Sequence, residues 1–262
     1  MPAIQPEVLQ REIEAMLEHV GEPGRFVREC MKLLEYYADR ARRSGRIPAE
    51  VASERVLRVP RPVLRTLCAA IHRLGRGGED VAWLELAQAL WGKSYREPRL
   101  IAICMLREAE LEDLPAMAGV WGEESDDPEV LRALAEEGLR PLREQDPEAY
   151  LGHIAAWLAA DRRQALALHA LNALLDTQAF DDFPRIFRLL QGSGGKIVRR
   201  ANPIFRALME RLARRSPHET AAFLLEEIKR EPSGAAKLVK WALANLPPRL
   251  QVELREARSR KK

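Results

Sequence analysis

The sequence predicts an all-α fold, a curved right-handed solenoid of about six or seven antiparallel helix pairs. Three observations carry this. The 262 residues are rich in Ala, Leu, Glu and Arg and only 6% aromatic, a composition that favours helix. Apolar residues recur at helical spacing along the chain, and no strand-like alternation competes with them. Candidate second helices of helix pairs begin near Arg96, Asp127, Asp161, Lys196 and Ser233, at successive spacings of 31, 34, 35 and 37 residues. A regular period in this range marks a helical repeat array.

The elements follow in order. Residues 6–20 read as an amphipathic helix, opened by Pro6 and closed before Gly21. Gly24–Arg43 reads as a second, with Phe26, Met31, Leu33, Leu34 and Tyr37 as candidate core. Gly45–Pro48 is a break, and a short helix over 49–56 leads to Pro60 and Pro62. A helix then runs to Leu74 and a loop covers Gly75–Gly78. From there each pair has its own turn signal: Gly92–Ser94, Ser125–Pro128, Ala160-Asp161, Gly192–Gly195 and Glu231–Gly234. Trp83, Trp91, Trp157 and Trp241 lie inside amphipathic helices and are expected in the core. We read one domain: N-terminal helices over 1–56, repeats over 57–250 and a basic tail over 251–262.

The most informative run is Leu90–Leu106, LWGKSYREPRLIAICML. Trp91-Gly92 ends one helix, because glycine tolerates the backbone wanted just past a helix terminus. Ser94 is positioned to cap the next helix, with Glu97 three residues on completing a capping box. Pro98 falls in the first turn, where its missing N–H costs nothing. Leu100, Ile101, Ile103, Cys104 and Leu106 then form an apolar stripe.

This run resembles the AlkD-like family of DNA alkylation repair proteins, whose second repeat carries a Leu-Trp…Arg-Glu…Ala…Leu pattern. Leu57–Pro60 followed by Val63-Leu64-Arg65 is similar to the family's Val-x-x-Pro-x-x-Arg segment. Asp146-Pro147-Glu148 through Trp157–Asp161 is similar to its Pro-Glu…Trp-Ile-x-Ser-Asp repeat, and Ser216-Pro217 with Lys237…Lys240 matches the last repeats. The resemblance spans roughly residues 25–250. It implies HEAT-like repeats in which the second helices line a concave groove that holds duplex DNA.

The family's glycosylases carry a Trp-Asp-x-x-Asp type motif, an Arg in the next repeat and a further Trp. Counting back from Asp146-Pro147, the motif's Trp falls on Pro128 and its catalytic Asp on Arg132. The Arg falls on Ala167, and the last Trp on Arg206 or Ala207. In the family the carboxylate stabilises positive charge developing on the sugar as the base leaves, and the aromatics contact it electrostatically. No catalytic residue is therefore assigned. Asp127 before Pro128 reads as a helix cap.

Other chemistries find no template. The histidines (His19, His72, His153, His169 and His218) are scattered, with no HExxH. Cys30, Cys68 and Cys104 stand far apart in the sequence, in apolar runs, and read as buried small hydrophobes. No metal or cofactor is expected. Gly192–Lys196 lacks phosphate-loop spacing and reads as a turn. No apolar run reaches membrane-spanning length and no leader is visible, so a cytoplasmic protein is expected.

Basic residues number 42 and acidic residues 39, giving a net charge of +3. A DNA-binding face must therefore come from segregation of charge rather than from excess. Arg162 and Arg163 lie at one second-helix start, Lys196, Arg199 and Arg200 at the next, and Lys237 and Lys240 one turn apart on the last. Lys, Arg and helix N-termini are the groups that meet phosphates. Three functions follow. The first is a monomeric binder of duplex DNA, intact, damaged or distorted, with no or altered glycosylase activity. The second is an active alkylpurine glycosylase with a displaced carboxylate at Asp126, Asp127 or Glu129. The third is a HEAT-like protein scaffold.

Overall fold

The computed structural model describes residues 5–38, 55–77, 81–177, 180–191 and 203–259. Among them every regular element is helical. One ladder contact occurs, an isolated parallel bridge between Arg55 and Tyr95. Proline opens many of the helices. Pro6, Pro23, Pro62, Pro115, Pro128, Pro141, Pro184, Pro217 and Pro232 occupy first or second helical positions, where the fixed φ suits the helix and the missing N–H is not needed. The chain resolves into two compact units, Met1–Pro147 and Glu148–Lys262.

The first unit contains α1 (Pro6–Leu17), α2 (Pro23–Tyr37), α3 (Arg61–Gly75), α4 (Trp83–Trp91), α5 (Arg96–Met105), α6 (Leu114–Glu124), α7 (Pro128–Ala133) and α8 (Arg140–Gln145). A five-residue π turn, Leu134–Gly138, continues α7. Helix α3 packs on α1 and α5, α5 on α4 and α7, and α4 on α2. Ile13, Phe26, Leu34, Leu67, Ile71, Leu86, Leu90 and Ile101 have no or almost no exposed surface, the outcome of apolar stripes on facing helices.

The joint between α4 and α5 departs from the expected capping box. Ser94 adopts φ 54° and Tyr95 is the residue before α5, with no side-chain cap. Glu97, 3% exposed, instead accepts the backbone N–H groups of Leu57, Arg58 and Val59 at 2.9, 2.6 and 3.3 Å. A buried carboxylate needs several donors, and the extended segment before α3 supplies them. That segment is held in place by the same bonds, with Arg58 at φ 66°, and Arg55–Val59 is not helical. The rest of the short helix expected over 49–56 lies outside the described residues. Gly92 closes α4 as expected, but with φ −61°, so the left-handed turn falls on Ser94.

Of the four tryptophans expected in the core, Trp83, Trp91 and Trp157 are buried, at 6%, 4% and 2% exposed, while Trp241 is only half-buried. Trp91 stacks on Trp121, ring centroids 4.2 Å apart and 3° from parallel. The guanidinium of Arg99 covers the Trp91 ring at 4.4 Å and donates to the carbonyls of Trp91 and Glu124.

The second unit contains α9 (Pro147–Ala159), a single 3-10 turn at Asp161–Arg163, α10 (Gln164–Asp176), α11 (Phe183–Leu190), α12 (Pro203–Arg215), α13 (Pro217–Arg230), α14 (Pro232–Leu243) and α15 (Pro248–Ser259). Helix α12 packs on α10, α13 and α14, and α13 on α11, α14 and α15. Among the described residues no helix is long and apolar enough to cross a membrane.

Candidate functional site

Charge in the second unit is segregated by helix. Helix α12 carries Arg206, Arg211, Arg214 and Arg215 against the single acid Glu210, and α14 carries Lys237 and Lys240 with no acid. The neighbouring α13 is mixed, with Glu219, Glu226 and Glu227 beside Lys229 and Arg230. The two basic helices are held together by apolar packing. Phe205 is fully buried and meets the Trp241 ring edge-on at 6.2 Å. Ala235, Leu238, Val239 and Ala242 form the buried face of α14, which leaves Lys237 and Lys240 exposed on the opposite side.

The arginines of α12 divide into two groups. Arg211 binds the Asn172 carbonyl at 3.2 Å and the Asp176 carboxylate. Arg215 donates to the Leu175 carbonyl and, at 2.9 Å, to that of Phe180, with its guanidinium 5.2 Å above the Phe183 ring. Both satisfy carbonyls at the C-terminal end of α10, where cations are favoured by orphan acceptors and the helix dipole. Arg206 pairs with Glu210 at 2.7 Å. Arg214 is exposed, and like Lys237 and Lys240 it has no hydrogen-bond or ion-pair partner among the described residues. On these two helices they are the cations left to meet an external anion.

The sequence-predicted residues are placed as follows. Lys237 and Lys240 lie on one exposed face, as their three-residue spacing requires. Arg162 and Arg163 form the 3-10 turn ahead of α10, Arg162 exposed and Arg163 half-buried. Lys196, Arg199 and Arg200 lie outside the described residues. Arg214 was not among the candidates. Its signal was the run Arg211-Leu-Ala-Arg-Arg215, in which packing commits Arg211 and Arg215 to α10 and leaves Arg214 exposed. Arg185 is engaged elsewhere, at 2.5 Å from Glu148; that bond holds the Glu148 carboxyl below its ordinary range and raises the Arg185 guanidinium.

In the first unit the acidic segment before α7 is built as a cap. Asp127, 6% exposed, accepts the Glu129 N–H at 2.8 Å and receives Arg96 at 2.6 Å. Glu129 takes the second arm of Arg96 at 3.4 Å and Arg61 at 3.7 Å. Arg61, Arg96 and Glu129 border an open cleft of about 430 Å³ floored by Val59, Pro60, Leu64 and Leu100. Pro128 and Arg132 are exposed on α7, Ala167 is fully buried in α10, and Arg206 and Ala207 are exposed on α12. None of these positions supplies a carboxylate or an aromatic. Among the described residues no group of three His, Cys, Asp or Glu side chains is arranged to hold a metal.

Comparison with protein-family models, with curated proteins and with solved structures finds no match to this chain.

Proposed function

We propose that this chain is a solenoid of helix pairs that binds duplex DNA through phosphate contacts and does not excise bases. The observation that carries the reading is the segregation of charge on α12 and α14, in a chain whose total charge is nearly balanced. Arg214, Lys237 and Lys240 project from two packed helices whose other arginines are committed to internal contacts. Packed helix axes lie about 8–10 Å apart, so long side chains from both can engage one strand, whose phosphates recur every ~3.4 Å of duplex axis. Alternate helices pack on one another within each unit: α1 on α3, α3 on α5 and α5 on α7; α10 on α12 and α12 on α14; α11 on α13 and α13 on α15. That pattern supports the repeat array, with α10, α12 and α14 in one layer.

The contacts invoked are to phosphates, which carry no sequence information, so affinity is insensitive to sequence. At Asp127 the displaced-carboxylate alternative loses support, because that residue is buried and already holds both a helix terminus and Arg96. Fluorescence anisotropy with a short duplex tests the proposal. The full chain binds at low salt, and the Lys237→Ala/Lys240→Ala/Arg214→Ala variant binds at least about tenfold more weakly. Equal binding by parent and variant rejects this face, and no binding by either rejects the DNA reading in favour of a protein scaffold.

A further inference from the structure

Three cysteines far apart in the sequence fall on helices that pack around α3 and α4. Cys30 lies on α2, Cys68 on α3 and Cys104 on α5. Cys30 is fully buried, Cys104 is 5% exposed, and Cys68 is partly open to solvent. The Cys104 thiol lies 3.8 Å from the backbone carbonyl oxygen of Cys68, and its side chain is hydrogen-bonded to that of Cys68. Cys104 Sγ is also 3.3 Å from His72 Nε2. The other ring nitrogen of His72, Nδ1, is 2.7 Å from Glu108 Oε1. A thiol, an imidazole and a carboxylate in this order form a nucleophile, its base and the group that orients the base.

The arrangement has a local origin. Cys68 and His72 are four residues apart on α3 and share its face, while Cys104 lies in the last turn of α5 and Glu108 in the 3-10 turn, Leu106–Glu108, that follows it. Helix packing then brings the two pairs together. Gly75 leaves the room the carboxylate needs, since a Cβ there would overlap Glu108. Glu108 and Cys104 address opposite ring nitrogens, which suits proton transfer and not a shared metal ion.

Cys104 is 5% exposed and Cys68 only partly open, which favours a small reagent over a large substrate. We propose that Cys68, Cys104 and His72 form a thiol-oxidation site for small hydroperoxides. The more open Cys68 attacks the peroxide; the O–O bond breaks, Cys68 becomes a sulfenic acid and the hydroperoxide leaves as the alcohol or water. Cys104 then resolves it. His72 Nε2 takes the Cys104 proton, Sγ attacks the Cys68 sulfur, and the S–O bond breaks. The proton on His72 leaves with the hydroxyl as water, and a Cys68–Cys104 disulfide remains. The two thiols together lose two electrons, and the peroxide gains them. A base is needed at Cys104 in particular, because hydrogen bonding to Cys68 and burial both push that thiol well above its ordinary range. Cys30, raised to about 12 by burial, takes no part.

The test treats the full chain with hydrogen peroxide, alkylates the remaining thiols after denaturation and maps the peptides. The expected product is about 2 Da lighter, carries a Cys68–Cys104 bridge and leaves only Cys30 to alkylate. In Cys104→Ser no bridge forms and dimedone traps a sulfenic acid on Cys68. In His72→Gln bridging slows by about 10²-fold, the weight of a positioned base, and in Glu108→Gln it slows by less. Thermal melts of each variant establish that it is folded. A bridge that includes Cys30, no bridge in the parent, no dimedone adduct in Cys104→Ser, or unchanged rates in both folded base variants overturns the assignment.

Discussion

Replacing Glu97 tests how the first unit is fastened. Its carboxylate is 3% exposed and accepts three backbone donors, those of Leu57, Arg58 and Val59. Hydrogen bonds to a charged group are worth about 1.5–3 kcal/mol each, and a buried donor left without a partner costs about 1–3 kcal/mol. In Glu97→Ala the N–H groups of Leu57 and Val59 sit at buried positions with nothing to bond. Water reaches the Arg58 N–H, because that residue is half-buried. The loss is therefore about 3–5 kcal/mol. Glu97→Gln keeps the shape but offers one acceptor oxygen with two lone pairs, and its NH₂ faces a donor, so the loss is about 2–3 kcal/mol. At roughly 2–4 °C per kcal/mol for a chain of this size, the Gln variant melts roughly 4–12 °C lower. Thermal melts followed by circular dichroism read the shift, and native-state hydrogen exchange at Leu57, Arg58 and Val59 reads its location. A Gln variant melting within about 1 °C of the parent, or unchanged exchange at those amides, would refute the reasoning.

Further outcomes follow from the same contacts. Arg99→Ala removes a cation from the face of Trp91 and the donor to two carbonyls, and destabilises by about 2–4 kcal/mol in chemical denaturation; Arg99→Met recovers part of this by keeping the packing. Asp127→Ala costs about 1–3 kcal/mol through the lost α7 cap and the Arg96 pair yet leaves DNA affinity unchanged, whereas loss of a base-release activity in Asp127→Asn would revive the acidic-site alternative. Arg215→Ala uncaps the end of α10 and lowers stability by about 1–2 kcal/mol, read as faster exchange in the last turn of that helix. Tyr37 is raised to about 12, chiefly by burial and then by its hydrogen bond to Glu12. Its neutral form is thus favoured by folding, so its contribution is intact below the ordinary tyrosine range near 10 and fades as pH rises toward about 12. In Tyr37→Phe the absorbance step near that pH disappears, and so does that part of the alkaline loss of stability.

Much of the helix inventory was legible because its signals are local. Prolines at helix starts, Asp127 before Pro128 and the apolar stripes each act within one or two turns, and each appears where the sequence placed it. What was not legible depended on contacts across distance. Glu97 carries the spacing of a capping box, yet its partners are forty residues upstream in sequence, a choice made by burial of the carboxylate and not by local propensity. The extended run Arg55–Val59 follows from the same choice. The basic face shows the same division. Lys237 and Lys240 announce themselves by their spacing, but only packing reveals that Arg211 and Arg215 are spent on α10 while Arg214 is left outward. The Cys104–His72 contact was hidden for a similar reason: Cys68 and His72 on α3, and Cys104 and Glu108 around the end of α5, are ordinary alone, and their meaning arises when α3 meets α5.

The measurement closest to the central claim is the salt dependence of duplex binding. Each phosphate neutralised contributes about −0.9 to the slope of log K against log salt. Arg214, Lys237 and Lys240 together contribute about −2.7, and the account predicts that replacing all three by Ala shallows the slope of the full chain by about that amount, equally for duplexes of unrelated sequence. A flat salt response in the parent, or a slope unchanged by the triple substitution, would contradict it.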